Sequence, residues 1–108
     1  MPSEHAKLGP GVRDALDRHG AARVVVSLAT SVDAAGAADP RGRAEIARLQ
    51  DAVLAGLDTT DFRLGQRYAA VPALAGTLRS RRGLARLLAH PAVRRVDLDP
   101  AGGGSGVP

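Results

Sequence analysis

Asp97 and Asp99 stand two apart near the end of the sequence, and paired carboxylates are the first side chains here whose chemistry needs weighing. On an extended segment, residues i and i+2 share a face, so the two could share acid and base work; a solvated strand end is the plainer reading. Nucleophilic catalysis needs a hydroxyl within reach of a base. Ser27, Ser31, Ser80 and Ser105 could supply the first and His5, His19 and His90 the second, but none sits in a recognisable motif. The histidines form no H-x-H or H-x-x-x-H pair and there is no cysteine, so neither a metal site nor a disulfide framework is expected. Gly102, Gly103 and Gly104 follow a strand-like stretch, but no helix comes after them to offer N–H groups to a phosphate, and they read as linker. The expectation is a chain that catalyses nothing and carries no cofactor.

Charge points elsewhere. The net charge is +4, with fourteen arginines against the single Lys7. Six arginines, Arg79, Arg81, Arg82, Arg86, Arg94 and Arg95, fall within seventeen residues. Such a cluster can grip nucleic-acid phosphates, or it can be a solvated face in a chain that uses Arg where others use Lys; the second reading is preferred. At 108 residues the chain is one domain by length, enough to bury roughly 60–70% of its unfolded surface. With one Phe, one Tyr and no Trp, its core must be built from Ala, Val and Leu. Neither an apolar run of the ~20 residues that span a bilayer nor a signal-peptide core in the first eleven residues is present. The expectation is therefore no membrane partner, with a cytoplasmic location as written or a secreted one if the chain is cut from a longer precursor.

Local patterns supply the elements that would position these groups. Met1 to Pro10 has no periodicity and reads as a flexible lead-in. Val12 and Leu16 mark a short helix stopped by Gly20, and Ala22 to Ala29 is a β-branched strand with Val24, Val26 and Leu28 on one face. Asp39 and Pro40 start a second helix that runs to about Leu57, with Ile46, Leu49, Val53 and Leu57 along one side. Phe62 to Tyr68 alternates as a half-buried strand, Phe62, Leu64, Gln66 and Tyr68 facing one way. Ala73 to Leu78 returns antiparallel. Ser80 caps a third helix carrying Leu84, Leu87 and Leu88, which His90 and Pro91 end. Val93, Val96 and Leu98 make the last strand, and residues 100–108 read as a flexible Gly-rich tail.

Strand, helix, strand, strand, helix, strand assembles most simply into an α+β sandwich of ferredoxin-like (βαββαβ) topology: a four-stranded antiparallel sheet with both helices on one face, preceded by a short helical lead-in. That fold also hosts RNA-binding modules, which stack bases on aromatic side chains of the central strands. Ala22 to Ala29 and Ala73 to Leu78 contain no aromatic residue, which speaks against nucleic acid. A small-molecule regulatory domain fits the same fold and stays open.

Three segments resemble the propeptide and inhibitor domains of subtilisin-type serine proteases: ARVVVSLA at Ala22 to Ala29, FRLGQRYAAVPALAGTL at Phe62 to Leu78, and SRRGLARLLAHPAVRRVDLD at Ser80 to Asp99. The likeness covers most of the chain from Gly11 to Asp99 and is a pattern of small and apolar residues, closing with a Leu-rich helix, a Pro, a Val and then Val followed by acidic residues. It implies an inhibitor or intramolecular chaperone whose partner is a subtilisin-type protease, in cis or in trans. In that family the open sheet face lies against two protease helices, whose free N–H groups are accepted by acidic residues at the end of the last strand; Asp97 and Asp99 match these, the first often being Glu in the family. The family's tail then enters the substrate cleft as an added strand, which would bring Gly102, Gly103, Gly104 and Ser105 to the catalytic serine. Subtilisin-type pockets favour large apolar groups, and these residues fill none while adding chain entropy to be lost on docking. The implied division of labour is a sheet face that binds and a tail that blocks weakly.

Overall fold

A computed structural model of the chain describes residues 7–30, 39–69 and 71–99. Three helices and four strands follow one another as α1 (Val12–His19), β1 (Ala22–Leu28), α2 (Pro40–Ala55), β2 (Phe62–Arg67), β3 (Ala73–Leu78), α3 (Arg81–Ala89) and β4 (Val93–Leu98). The sheet is antiparallel throughout, in the order β2-β3-β1-β4. This is the ferredoxin-like arrangement.

Each helix boundary has a local cause. Gly20 closes α1 in the left-handed region at φ 73°, its N–H donating to the Leu16 carbonyl, a conformation that costs glycine least. At the start of α2 the Asp39 carboxylate accepts the Arg41 N–H at 2.9 Å and Pro40 takes the first helical position. The Ser80 hydroxyl accepts the Gly83 N–H at 3.0 Å to open α3. Caps of this kind contribute about 1 kcal/mol each.

The sheet divides into two unlike faces. Along β1, Ala22, Val24, Val26 and Leu28 are buried; across from them Gly76 and Leu74 of β3 and Leu98 and Val96 of β4 share their side. Val53 of α2 and Leu84, Leu87 and Leu88 of α3 join Val24, Val26 and Leu28 in one apolar cluster, so the helices cover this face. The lead-in helix belongs there too, since Val12 and Leu16 of α1 are buried in that cluster. Burying a Val or Leu contributes about 1.5–3 kcal/mol, and no aromatic ring other than Phe62 adds to it.

Two expectations are corrected. Strand β2 does not alternate through its length: a bulge between Leu64 and Gln66, at Gly65, leaves Phe62 and Leu64 on the helix side but turns Gln66 to the other, where it pairs with Ala75. Phe62 is the one residue of β2 that is buried, so it is an edge strand rather than a half-buried one. Helix α2 ends at Ala55, two residues short of the expected Leu57, with the Leu57 N–H donating to the Leu54 carbonyl in a tighter final turn. In addition, part of the segment read as a loose lead-in is paired: Leu8 forms a parallel bridge to Val96 on the outer edge of β4.

Candidate functional site

The face of the sheet away from the helices is set out by the register. One row across it runs Arg63, Thr77, Arg23 and on to Asp99, whose N–H donates to the Arg23 carbonyl at 2.9 Å. The next row runs Gln66, Ala75, Val25 and Asp97, and a third holds Ala73, Ser27 and Arg95. The centre of this surface is therefore small: Thr77, Ala75, Val25, Ala73 and Ser27. Its border on the β4 side carries Asp99, Asp97 and Arg95, and its corner at the start of β2 is basic. A shallow depression of about 250 Å³ has Ala75, Gly76 and Thr77 as its floor, Tyr68 and Gln66 on one side and Arg23 and Asp99 on the other.

Asp97 and Asp99 thus lie on one side of β4, and that side faces away from the helices, with Val25, Ser27 and Thr77 half-buried and Ala73 and Ala75 buried among their neighbours. Asp97 is already engaged. Both its oxygens accept from Arg95 Nε at 2.9 Å, and Gly9 is seated against its carboxylate while the Gly9 N–H donates to the Val96 carbonyl at 2.7 Å. The pair is partly exposed, at 46% and 36% of the two side chains, and such pairs contribute at most about 1 kcal/mol, so a competing donor can replace it. The residue missed from sequence is Arg95. The signal was there, because Arg95 and Asp97 are two apart on a strand and must share a face. Gly102, Gly103, Gly104 and Ser105 lie outside the described residues.

The six clustered arginines do not act together. Arg81 pairs with Asp17 of α1 at 2.8 Å, Arg82 with Asp61 at 3.1 Å, Arg95 with Asp97, and Arg86 donates to the Gly56 carbonyl at 3.1 Å. Four of the six have a partner within the chain, and only Arg79 and Arg94 remain without such a partner among the described residues.

Ser80 and His90 are likewise spent on structure. Ser80 donates to Asp61 at 2.7 Å as well as capping α3. His90 closes α3 as expected, and its ring accepts the Ala92 N–H on Nδ1 at 3.0 Å where the chain turns into β4. His19 is exposed in the last turn of α1, and Ser27 is half-buried on the open face. His5, Ser31 and Ser105 fall outside the described residues. Among the described residues no serine is hydrogen-bonded to a histidine, no group of three His, Cys, Asp or Glu could hold a metal ion, and no helix is long and apolar enough to cross a membrane.

Asp61 is the buried charge that sequence reading overlooked. It is 2% exposed, with Ser80 and Arg82 on its carboxylate and the Arg79 N–H on its carbonyl. Its carboxyl is held below the usual aspartate value by the Ser80 hydroxyl first and then by Arg82. It ties the end of β3 to the start of α3, away from the open face.

Compared with known proteins, the chain matches no family model, no curated protein and no solved structure.

Proposed function

We propose that this chain is an inhibitor or folding-assistant domain that clamps its open sheet face onto a subtilisin-type serine protease. The observation that carries the reading is the sheet face away from the helices. It has a centre of Thr77, Ala75, Val25 and Ser27, low enough for a partner's helices to lie on the strands, and the carboxylates of Asp97 and Asp99 at its border. A helix N-terminus offers orphan N–H groups and about half a positive charge, and carboxylates at that border are the groups such an end attracts. On docking, the helix end takes over Asp97 from Arg95. The loss is small for the reason given above, and Arg95 is left facing solvent or the partner.

Residual activity of a subtilisin-type protease, titrated with this chain against a chromogenic peptide, tests the reading. Wild type is expected to inhibit. Ala75→Arg, which raises a charged side chain from the floor of the face, should weaken inhibition at least tenfold, as should Asp97→Asn combined with Asp99→Asn. Gly104→Leu with Ser105→Tyr should tighten it by filling substrate pockets that glycine leaves empty. An inhibition constant that ignores Ala75→Arg in a variant with a native melting curve would sink the sheet-face docking. RNA binding that collapses with salt, in place of inhibition, would sink the reading as a whole.

A further inference from the structure

The basic corner of the open face lies at the start of β2 and the end of β3, across the sheet from Asp97 and Asp99. Thr59, Thr60, Arg63 and Arg79 line a depression of about 320 Å³, and no carboxylate is among its walls. The two arginines arrive there from neighbouring strands: Arg63 is paired with Thr77, and Arg79 follows Leu78, the partner of Phe62. The backbone behind them is tied down, with the Phe62 N–H donating to the Asp58 carbonyl at 2.9 Å and the Arg79 N–H to the Asp61 carbonyl at 2.7 Å.

Among the described residues, neither of these two cations has an ion-pair partner. The other arginines of the region are paired, Arg82 with Asp61 and Arg81 with Asp17, and the Asp61 carboxylate is turned inward onto Ser80 and Arg82. Among the described residues, no acidic side chain bonds Arg63 or Arg79. Two carboxylates adjoin the threonines in the chain: Asp61, after Thr60, is engaged by Ser80 and Arg82, and Asp58, exposed and next to Thr59, is the one left to repel an anion there.

We propose that Thr59, Thr60, Arg63 and Arg79 bind a tetrahedral oxyanion, a phosphate group above all. Two guanidinium forks offer up to ten N–H donors and the threonines two hydroxyls. A planar carboxylate is satisfied by a single fork, whereas donors arriving from two strands and a turn suit oxygens arranged in three dimensions. The phosphate could be the free ion or a monoester on a peptide or nucleoside.

Titration of the full chain with inorganic phosphate at low ionic strength, followed by NMR at the Thr59 and Thr60 amides and the arginine Nε–H groups, tests the site. Saturable shifts are expected at Thr59, Thr60, Arg63 and Arg79. Arg63→Gln and Arg79→Gln should each weaken binding about tenfold, the size expected for loss of a charge-assisted hydrogen bond, and Asp58→Asn should tighten it. Arg94→Gln, which removes an exposed arginine elsewhere, should change nothing. Phosphoserine and adenosine monophosphate then distinguish the occupants. Tighter binding of either at the same residues assigns a monoester, and weaker binding assigns the free ion. Shifts at Arg94 as large as those at Arg79, or an affinity untouched by Arg79→Gln, would reduce the corner to general attraction between a cationic protein and an anion and overturn the proposal.

Discussion

Asp61 is where a single residue decides most. Its carboxylate is buried, accepts from the Ser80 hydroxyl at 2.7 Å and pairs with Arg82, and its carbonyl crowds the start of α3 so closely that a Cβ built on Gly83 would stand 2.7 Å from it. Glycine at 83 is required by that approach. Because Ser80 and Arg82 hold the folded-state carboxyl below the ordinary aspartate value, the contribution of this cluster is fully present above that value and is lost as pH falls through the folded-state value. Asp61→Asn is therefore expected to lower the urea midpoint at neutral pH, and the gap from wild type should close on acidification. A gap that stayed constant into acid would mean that charge at Asp61 does not matter. None of this was legible in the sequence, where Asp61 reads as one residue of a polar turn. Its burial depends on α3 packing across it, and no local pattern encodes that.

At the scale of elements, α2 is joined to the sheet by Gln50. Its side-chain amide donates to the carbonyls of Tyr68 at 2.8 Å and Ala73 at 2.9 Å, the two ends of the β2–β3 turn, and its oxygen accepts from Arg67 at 3.2 Å. Gln50→Leu keeps the volume but strands both carbonyls; the expected loss is about 1–3 kcal/mol, with faster amide exchange around the turn. Unchanged exchange there would show that the clip is dispensable. The bulge at Gly65 is the reason the β2 pattern misled: one extra residue reverses the face of everything after it, and alternation in the sequence looks the same with or without it. Helix starts were easier to read, because Asp39 with Pro40 and Ser80 act on their own backbone within three residues.

For the whole molecule the two sheet edges are treated differently. The outer edge of β2 is broken by the Gly65 bulge and carries Arg63 and Arg67. The outer edge of β4 is covered by the chain's own strap, with Leu8 bridged to Val96 and Lys7 Nζ donating to the His90 carbonyl at 2.9 Å. A Cβ on Gly9 would meet the Asp97 carboxylate and come within 2.8 Å of the Val96 carbonyl oxygen, so Gly9→Val should lift the strap. The expected result is self-association that rises with concentration in sedimentation velocity, absent in wild type; a monomeric variant would show the strap is not what guards the edge.

The residues by themselves determined the order of elements, the caps and the apolar face of β1, because each rests on contacts within a few positions or on a fixed period of side-chain direction. The four-stranded antiparallel sheet with helices on one face was expected from the order of elements, and the structure has it. Only the tertiary structure decided that Arg95 holds Asp97, that four clustered arginines are spent internally, that α1 joins the core and that Arg63 and Arg79 stand together. Those are pairings between segments far apart in the chain, and which charges meet depends on register, bulges and helix placement, which side-chain type alone does not specify.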